Sequence, residues 1–255
     1  MGFIYKTMIS VILQYSTIDY RFLKTNLEQL SKFADEIIVP ICDHFFNGDP
    51  ENLELLKKSF ELINSTPKCT GYMFEWQGLK SNPGYYHNLS RALGTSVANG
   101  DWLLFVDGDE IVDDSFKEWY ETKAQYTDNI YWITCYWYFR DPIYQSKSYE
   151  GCGLLIKRDI CNWNVDIRDE RQQFHAGPKF IHGGYNHILV DGKPMMHHFS
   201  WVRTKEEMLK KVHNWGHKND TNWLDLVEEE FSRDFNGTDF IHGYEYNIVE
   251  NKFNL

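Results

Sequence analysis

The stretch Gly100–Glu110 reads GDWLLFVDGDE: five bulky apolar residues, Trp102 to Val106, stopped abruptly by Asp107, Asp109 and Glu110. A short apolar run bounded by glycines suits a strand buried on both faces, as in a parallel sheet. Ligands of open α/β sheets bind just beyond the carboxyl ends of the strands, and here that position carries three carboxylates. On an extended chain Asp107 and Asp109 point to one side, and Gly108 between them permits close backbone approach. Like charges this close raise each other's pKa unless a cation lies between them. Oxygen ligands suit a hard divalent ion, Mg²⁺ or Mn²⁺. The plain alternative is a solvated acidic turn after a strand.

Outward from this stretch, apolar runs and helical patterns alternate. Met8 to Tyr15 reads as a first strand, followed by a helix capped by Asp19 with Phe22, Leu23, Leu27, Leu30 and Phe33 at helical spacing. Glu36 to Ile41 is a second strand ending at Cys42-Asp43-His44, and a β-α-β unit of this kind demands a right-handed crossover and a parallel sheet. A helix over Asn52–Ile63, a strand over Gly71–Trp76 and a helix over Tyr85–Ala98 lead into the central run. Beyond it, Asp113 and Asp114 can cap a helix through Trp119 and Tyr120. Ile130–Arg140 and Gly151–Lys157 read as strands, and Thr204–His217 and Trp223–Phe231 as helices. The tail from Asn236 carries no clear signal.

The chain has 255 residues with 42% hydrophobic and 25% charged, which suits one globular domain. A net charge of −11 argues against nucleic acid and against a polybasic membrane contact. Five cysteines without a CxxC pair read as reduced thiols of a cytoplasmic protein. The run MISVILQY is too short to span a membrane and no later stretch is long enough to do so. The 16% of aromatic residues offer faces for stacking bases and sugar rings, although most serve the core.

The segment SRALGTSVANGDWLLFVDGDE, Ser90–Glu110, resembles the donor site of family 2 glycosyltransferases and their GT-A-fold relatives. Their pattern is a helix opening on Arg-Asn-x-Gly and closing on Ala-x-Gly-Asp, then an apolar strand and Asp-x-Asp. Arg91, Gly94, Ala98, Gly100, Asp101, Asp107 and Asp109 fall in register with it, while Ala92 stands where the family has Asn. The resemblance implies an α/β, GT-A-like (Rossmann-like) fold: a mostly parallel central sheet flanked by helices, with a C-terminal helical segment closing over the donor site. It divides the single domain into a nucleotide-sugar half (1–115), an acceptor half (116–200) and C-terminal helices (201–255).

The same resemblance implies metal-assisted transfer of a sugar, with inversion, from a nucleotide-sugar donor to a hydroxyl of a glycan, lipid-linked or other acceptor. Asp107 and Asp109 hold Mn²⁺ or Mg²⁺ in that reading. The run HFSW after Met195-Met196-His197 supplies a third ligand, His198, with His197 the alternative; adjacent residues on a strand face opposite ways. An imidazole ligand favours Mn²⁺. Donor contacts fall to Asp43, Arg91, Asp107 and Arg203. Arg203, Lys205, Lys210 and Lys211 cluster in an otherwise acidic chain, and the solvated-face reading suits Lys205 and Lys211 better than Arg203. The catalytic base falls among Asp166, Asp169 and Glu170 in the loop DIRDER, with Asp169 favoured. Two other readings use the same residues. One is a haloacid-dehalogenase-type phosphatase, which needs its nucleophilic Asp after the first strand; the other is a non-catalytic nucleotide- or sugar-binding protein.

Overall fold

The computed structural model describes residues 7–45, 47–78, 83–122, 130–161, 186–188, 190, 192–214 and 220–255, with backbone alone at 83–84 and 186–188. Its centre is the strand pair that the apolar runs announce. β1 (Ile9–Gln14) and β4 (Trp102–Asp107) lie parallel and in register from Ile9↔Trp102 to Gln14↔Asp107. Every residue of β1 is buried, and in β4 only Asp107 is not, as continuous apolar strands covered on both faces require.

From β1 the chain passes through α1 (Tyr20–Leu30) to β2 (Glu36–Cys42), then through α2 (Leu53–Ser65) to β3 (Cys69–Phe74). The apolar stripe of α1, with Phe22, Leu23, Leu27 and Leu30, is buried. Asn52 opens α2 by accepting a hydrogen bond from the Leu55 N–H at 3.0 Å, an N-cap that satisfies one of the helix's orphan donors. The chain then crosses back through α3 (Pro83–Val97) to β4, on the other side of β1. The crevice between β1 and β4 is therefore the switch point of the sheet, where α/β folds bind ligands. Gly94 lets α3 settle there: a Cβ at this position would lie 2.6 Å from Ile12 Cγ2.

The full strand order is β3-β2-β1-β4-β7-β6-β9-β5, the α/β, GT-A-like arrangement expected, with its parallel run concentrated in the first four strands. Beyond β4 the sheet continues through β7 (Asp141–Lys157), antiparallel to both β4 and β6 (Tyr131–Phe139). β9 (Met196–Trp201) runs parallel to β6, and the short β5 (Glu110–Val112) closes the edge antiparallel to β9. β8 (Asn186–Ile188) pairs with β6. Helix α4 (Asp114–Thr122) follows β5, and α5 (Lys205–Asn214) and α6 (Trp223–Glu230) follow β9.

Several elements differ from the sequence expectation, β8 among them. β7 begins at Asp141, ten residues earlier than the apolar run that signals it, because its first half is polar and partly exposed. β5 is three residues long, too short for any periodicity to show. The tail contributes β10 (Tyr246–Ile248), which pairs with β7. Among the described residues no helix is long and apolar enough to cross a membrane.

Candidate functional site

Asp107 is the last residue of β4, and Gly108-Asp109 turn the chain into β5. The turn is pinned from α1, where Asn26 Nδ2 donates to the Gly108 carbonyl at 2.9 Å. A Cβ on Gly108 would come within 2.9 Å of the Asp19 Cβ, so the missing side chain is what lets Asp19 approach. Leaving the extended conformation ends the period-two alternation, and this corrects the expectation that Asp107 and Asp109 point to one side. They meet different partners.

Asp107 takes Arg91 from α3, with Nη2 at 2.9 and 3.3 Å from its two carboxylate oxygens. Its backbone N–H donates to Glu110 Oε2 at 2.8 Å. The Asp107 side chain remains 28% exposed while Arg91 is 5% exposed. The carboxylate is thus the open end of this pair, on the crevice side.

Asp109 is buried among cations. Lys211 Nζ of α5 lies 2.8 Å from Oδ2, Arg203 Nη2 3.4 Å from the same oxygen, and His198 Nε2 3.5 Å from Oδ1. Burial alone would raise this carboxyl, but Lys211, His198 and Arg203 together outweigh it and hold it well below the usual carboxylate range. Arg203 also pairs with Asp19 and donates to the carbonyls of Ile18 at 2.7 Å and Ser200 at 2.9 Å. It ties the start of α1, the acidic turn and the end of β9 into one knot. Lys211 donates its second hydrogen bond to Ser200 Oγ at 2.7 Å.

Two side chains here depart from what the sequence suggests. Lys211, read as part of a solvated face, is 7% exposed, whereas Lys205 does sit on the surface opposite Glu228. Asp19 makes no cap hydrogen bond at α1; its carboxylate serves Arg203 instead. The signal for Lys211 is present in its spacing. In α5, Met208, Lys211 and Val212 share the buried face, and a lysine at i+3 from one core residue and next to another is a candidate for burial with a partner.

The two histidines divide as strand alternation requires. His198 lies opposite Glu110 in the β5–β9 ladder and turns to Asp109. Burial works against a charged ring, yet contacts with Asp109 and Cys135 and the charge of Glu110 outweigh it and lift its pKa well above the ordinary value. His197 faces the other way. Its Nε2 is 3.0 Å from Asp113 Oδ2 and its Nδ1 2.8 Å from the Tyr138 hydroxyl. Burial lowers its pKa, so a neutral ring donating to Asp113 and accepting from Tyr138 fits both contacts.

Asp113 receives Lys252 from the chain's tail as well as His197, and caps α4 by accepting from the Ser115 N–H. Burial would raise this carboxyl; the hydrogen bonds outweigh it and hold it far below its ordinary value. A depressed folded-state pKa stabilises the fold above the unfolded value of about 3.9 and ceases to do so as pH falls through the folded one. Asp113→Asn is therefore expected to lose stability at neutral pH and to show a flatter acid limb than wild type. Urea midpoints between pH 3 and 7 check this, and parallel curves for the two proteins would remove Asp113 from the acid response.

At the carboxyl end of β2, Asp43 accepts the Trp76 N–H at 2.7 Å and lies 2.8 Å from His44 Nδ1. Burial opposes its ionisation, but these hydrogen bonds keep its pKa below the ordinary value. The Trp76 ring lies between His44 and Tyr86, with centroids 5.7 and 5.8 Å away. It packs over Gly48, whose φ of +94° and missing Cβ make room for the indole. The indole Nε1–H is buried and has no acceptor among the described residues. Asp166, Asp169 and Glu170 lie outside the described residues.

Of the ligand set expected for a divalent ion, Asp109 and His198 are brought together and Asp107 is paired elsewhere. Asp107 faces Arg91, while Asp109 faces Lys211 and Arg203 and has His198 Nε2 3.5 Å from its other oxygen. Among the described residues no three His, Cys, Asp or Glu side chains converge on one point. As arranged, these residues do not fit a divalent ion.

No protein-family model matches the sequence, and no curated protein matches it. Solved structures show similarity in shape. Residues 1–349 of Staphylococcus aureus TarS align at 13% identity over 89% of this chain and 73% of that one, with a TM-score of 0.43. A nucleotidyl transferase from Methanothermobacter thermautotrophicus aligns at 13% identity over 90% of this chain and 100% of its own, with a TM-score of 0.40. Glucosyl-3-phosphoglycerate synthase from Mycobacterium tuberculosis, in complex with Mn²⁺, UDP and phosphoglyceric acid, aligns at 13% identity over 61% of this chain and 57% of that one, with a TM-score of 0.36.

Proposed function

We propose that the chain transfers a sugar from a nucleoside-diphosphate sugar to an acceptor hydroxyl. The observation that carries this reading is the crevice at the β1–β4 switch point. Asp107 stands at its carboxyl end, opposite Gln14 and paired with Arg91 from α3. Along the same edge of the sheet, Asp43 follows β2 and Trp76 follows β3, joined by the Trp76 N–H on the Asp43 carboxylate. A carboxylate and an aromatic face suit a ribose and a base, and the family 2 resemblance of Ser90–Glu110 supplies the sugar and the reaction. The phosphatase alternative lacks its nucleophile, since Gln14 and Tyr15 stand at the end of β1.

The reaction is a direct displacement with inversion. The acceptor oxygen bonds to the anomeric carbon as the bond to the diphosphate oxygen breaks, and the nucleoside diphosphate leaves with the electron pair. A base takes the acceptor proton, and Asp169 is assigned that role, with Asp166 and Glu170 beside it. Acceptors of this class are glycans, lipid-linked sugars or other hydroxyl compounds. The five free thiols support a cytoplasmic site of action. The resemblance implies Mn²⁺ or Mg²⁺ as well; the reading above does not require either.

The test is incubation with a panel of UDP-, GDP- and dTDP-sugars, following release of nucleoside diphosphate, together with calorimetry of the three free diphosphates. One diphosphate is expected to bind and its sugar to be consumed in the presence of an acceptor. Binding without consumption across a broad acceptor panel would favour the non-catalytic binding protein. Absence of binding by all three, with and without divalent ion, would end the reading.

A further inference from the structure

The acids of the Asp-x-Asp turn are already matched by cations of the protein itself. Asp19, Asp107, Asp109 and Glu110 gather at the ends of β4 and β5, and Arg91, Arg203, Lys211 and His198 stand against them. All eight side chains come from the described core of the site, and three of the four cations touch Asp109. We propose that Lys211 occupies the place of the divalent ion, so that this chain binds its nucleoside diphosphate without a metal.

Geometry carries the assignment. Lys211 reaches the turn from α5, the helix that follows β9, and its Nζ is held at 2.8 Å from Asp109 Oδ2 and 2.7 Å from Ser200 Oγ. An ammonium has three N–H donors, and no acceptor for the third exists among the described residues. A single phosphate oxygen is the acceptor of the right chemistry, since hydrogen bonds from an ammonium to phosphate are charge-assisted. Arg203 cannot take the role. Its side chain is fully buried and spent on Asp19, Asp109 and the carbonyls of Ile18 and Ser200. It fixes the turn against β9 and thereby positions Asp109 for Lys211.

A divalent ion on Asp109 would have to displace the Lys211 ammonium, 2.8 Å from its Oδ2. The site would then hold Arg203 and Lys211 beside a doubly charged ion, and like charges at this spacing repel by several kcal/mol at an effective dielectric of about 20. With an apolar residue at position 211, Asp109 would keep Arg203 and His198 and lose its nearest cation.

This inference deepens the donor-binding reading and rests on it; the experiment separates their failures. Calorimetry of UDP, GDP and dTDP is run on the wild type in EDTA and in excess Mn²⁺, and Mn²⁺ alone is titrated into the nucleotide-free protein. The expected results are affinities within about twofold between EDTA and Mn²⁺, and no stoichiometric uptake of Mn²⁺. Lys211→Met keeps the unbranched apolar stem of the side chain and leaves Arg203 and His198 on Asp109, so the variant is expected to fold, checked by circular dichroism. It should bind the diphosphate about tenfold or more weakly in EDTA. A tenfold loss of wild-type affinity in EDTA overturns the inference, as does a Mn²⁺ site abolished by Asp109→Asn or unchanged binding by Lys211→Met. If no diphosphate binds in any arm the donor reading fails, and the Mn²⁺ titration still decides whether Lys211 excludes the ion.

Discussion

Asp109→Asn is expected to destabilise the fold by about 3–5 kcal/mol, the usual cost of removing one partner from a buried ion pair. The amide has nearly the shape of the carboxylate, so packing is not the cause. The loss arises because Lys211 Nζ and Arg203 Nη2, 2.8 and 3.4 Å from the carboxylate, are left facing each other with only the Asp19 charge between them. His198 loses the partner that keeps its ring protonated. Guanidinium unfolding at neutral pH measures the effect. A double-mutant cycle with Lys211→Met isolates it further: removing the lysine as well should recover a substantial part of the loss, because the uncompensated cation is then gone. A loss under about 1 kcal/mol for Asp109→Asn would mean that water reaches and screens the network, at odds with an Asp109 only 6% exposed.

Asp169→Asn is expected to reduce transfer by about a hundredfold to ten-thousandfold, the usual contribution of a general base, while leaving nucleoside-diphosphate binding intact. The segment DIRDER carries Asp166, Asp169 and Glu170 close in sequence to Arg168 and Arg171. An acid paired to arginine has a depressed pKa and accepts a proton poorly, so the three acids are not equivalent and only the one turned to the acceptor should matter. The experiment compares single-turnover transfer and diphosphate affinity for Asp169→Asn, Asp166→Asn and Glu170→Gln. If Asp169→Asn transfers at the wild-type rate and a neighbour does not, the base is that neighbour. Should all three remain active, the proton goes to a group elsewhere in the chain.

The sequence by itself determined the parallel half of the sheet and the location of the acidic turn. Runs such as ISVILQ and WLLFVD need no partner to be recognised, because strands covered on both faces are apolar almost throughout. Gly94 falls in register with the family pattern, and the structure alone supplies its close approach to Ile12. Alternation on β9 already separated His197 from His198, and the structure turns them to Asp113 and Asp109 respectively. Such features depend on neighbours along the chain, which local periodicity reports.

What only the tertiary structure decided is the charge pairing. Asp107 and Asp109 are two residues apart, and extended geometry would place them on one face; the turn at Gly108-Asp109 sends them to Arg91 and Lys211, 16 and 102 residues away in the chain. No local pattern can announce a partner at that separation. Lys211 looks like any lysine on an amphipathic helix until α5 is docked on the end of β9, and Asp19 looks like a helix cap until Arg203 reaches it. The first half of β7 was hidden for a related reason. Its polar residues take strand geometry from pairing with β6 and β10, and a strand held by its neighbours rather than by its own burial leaves no apolar run to read.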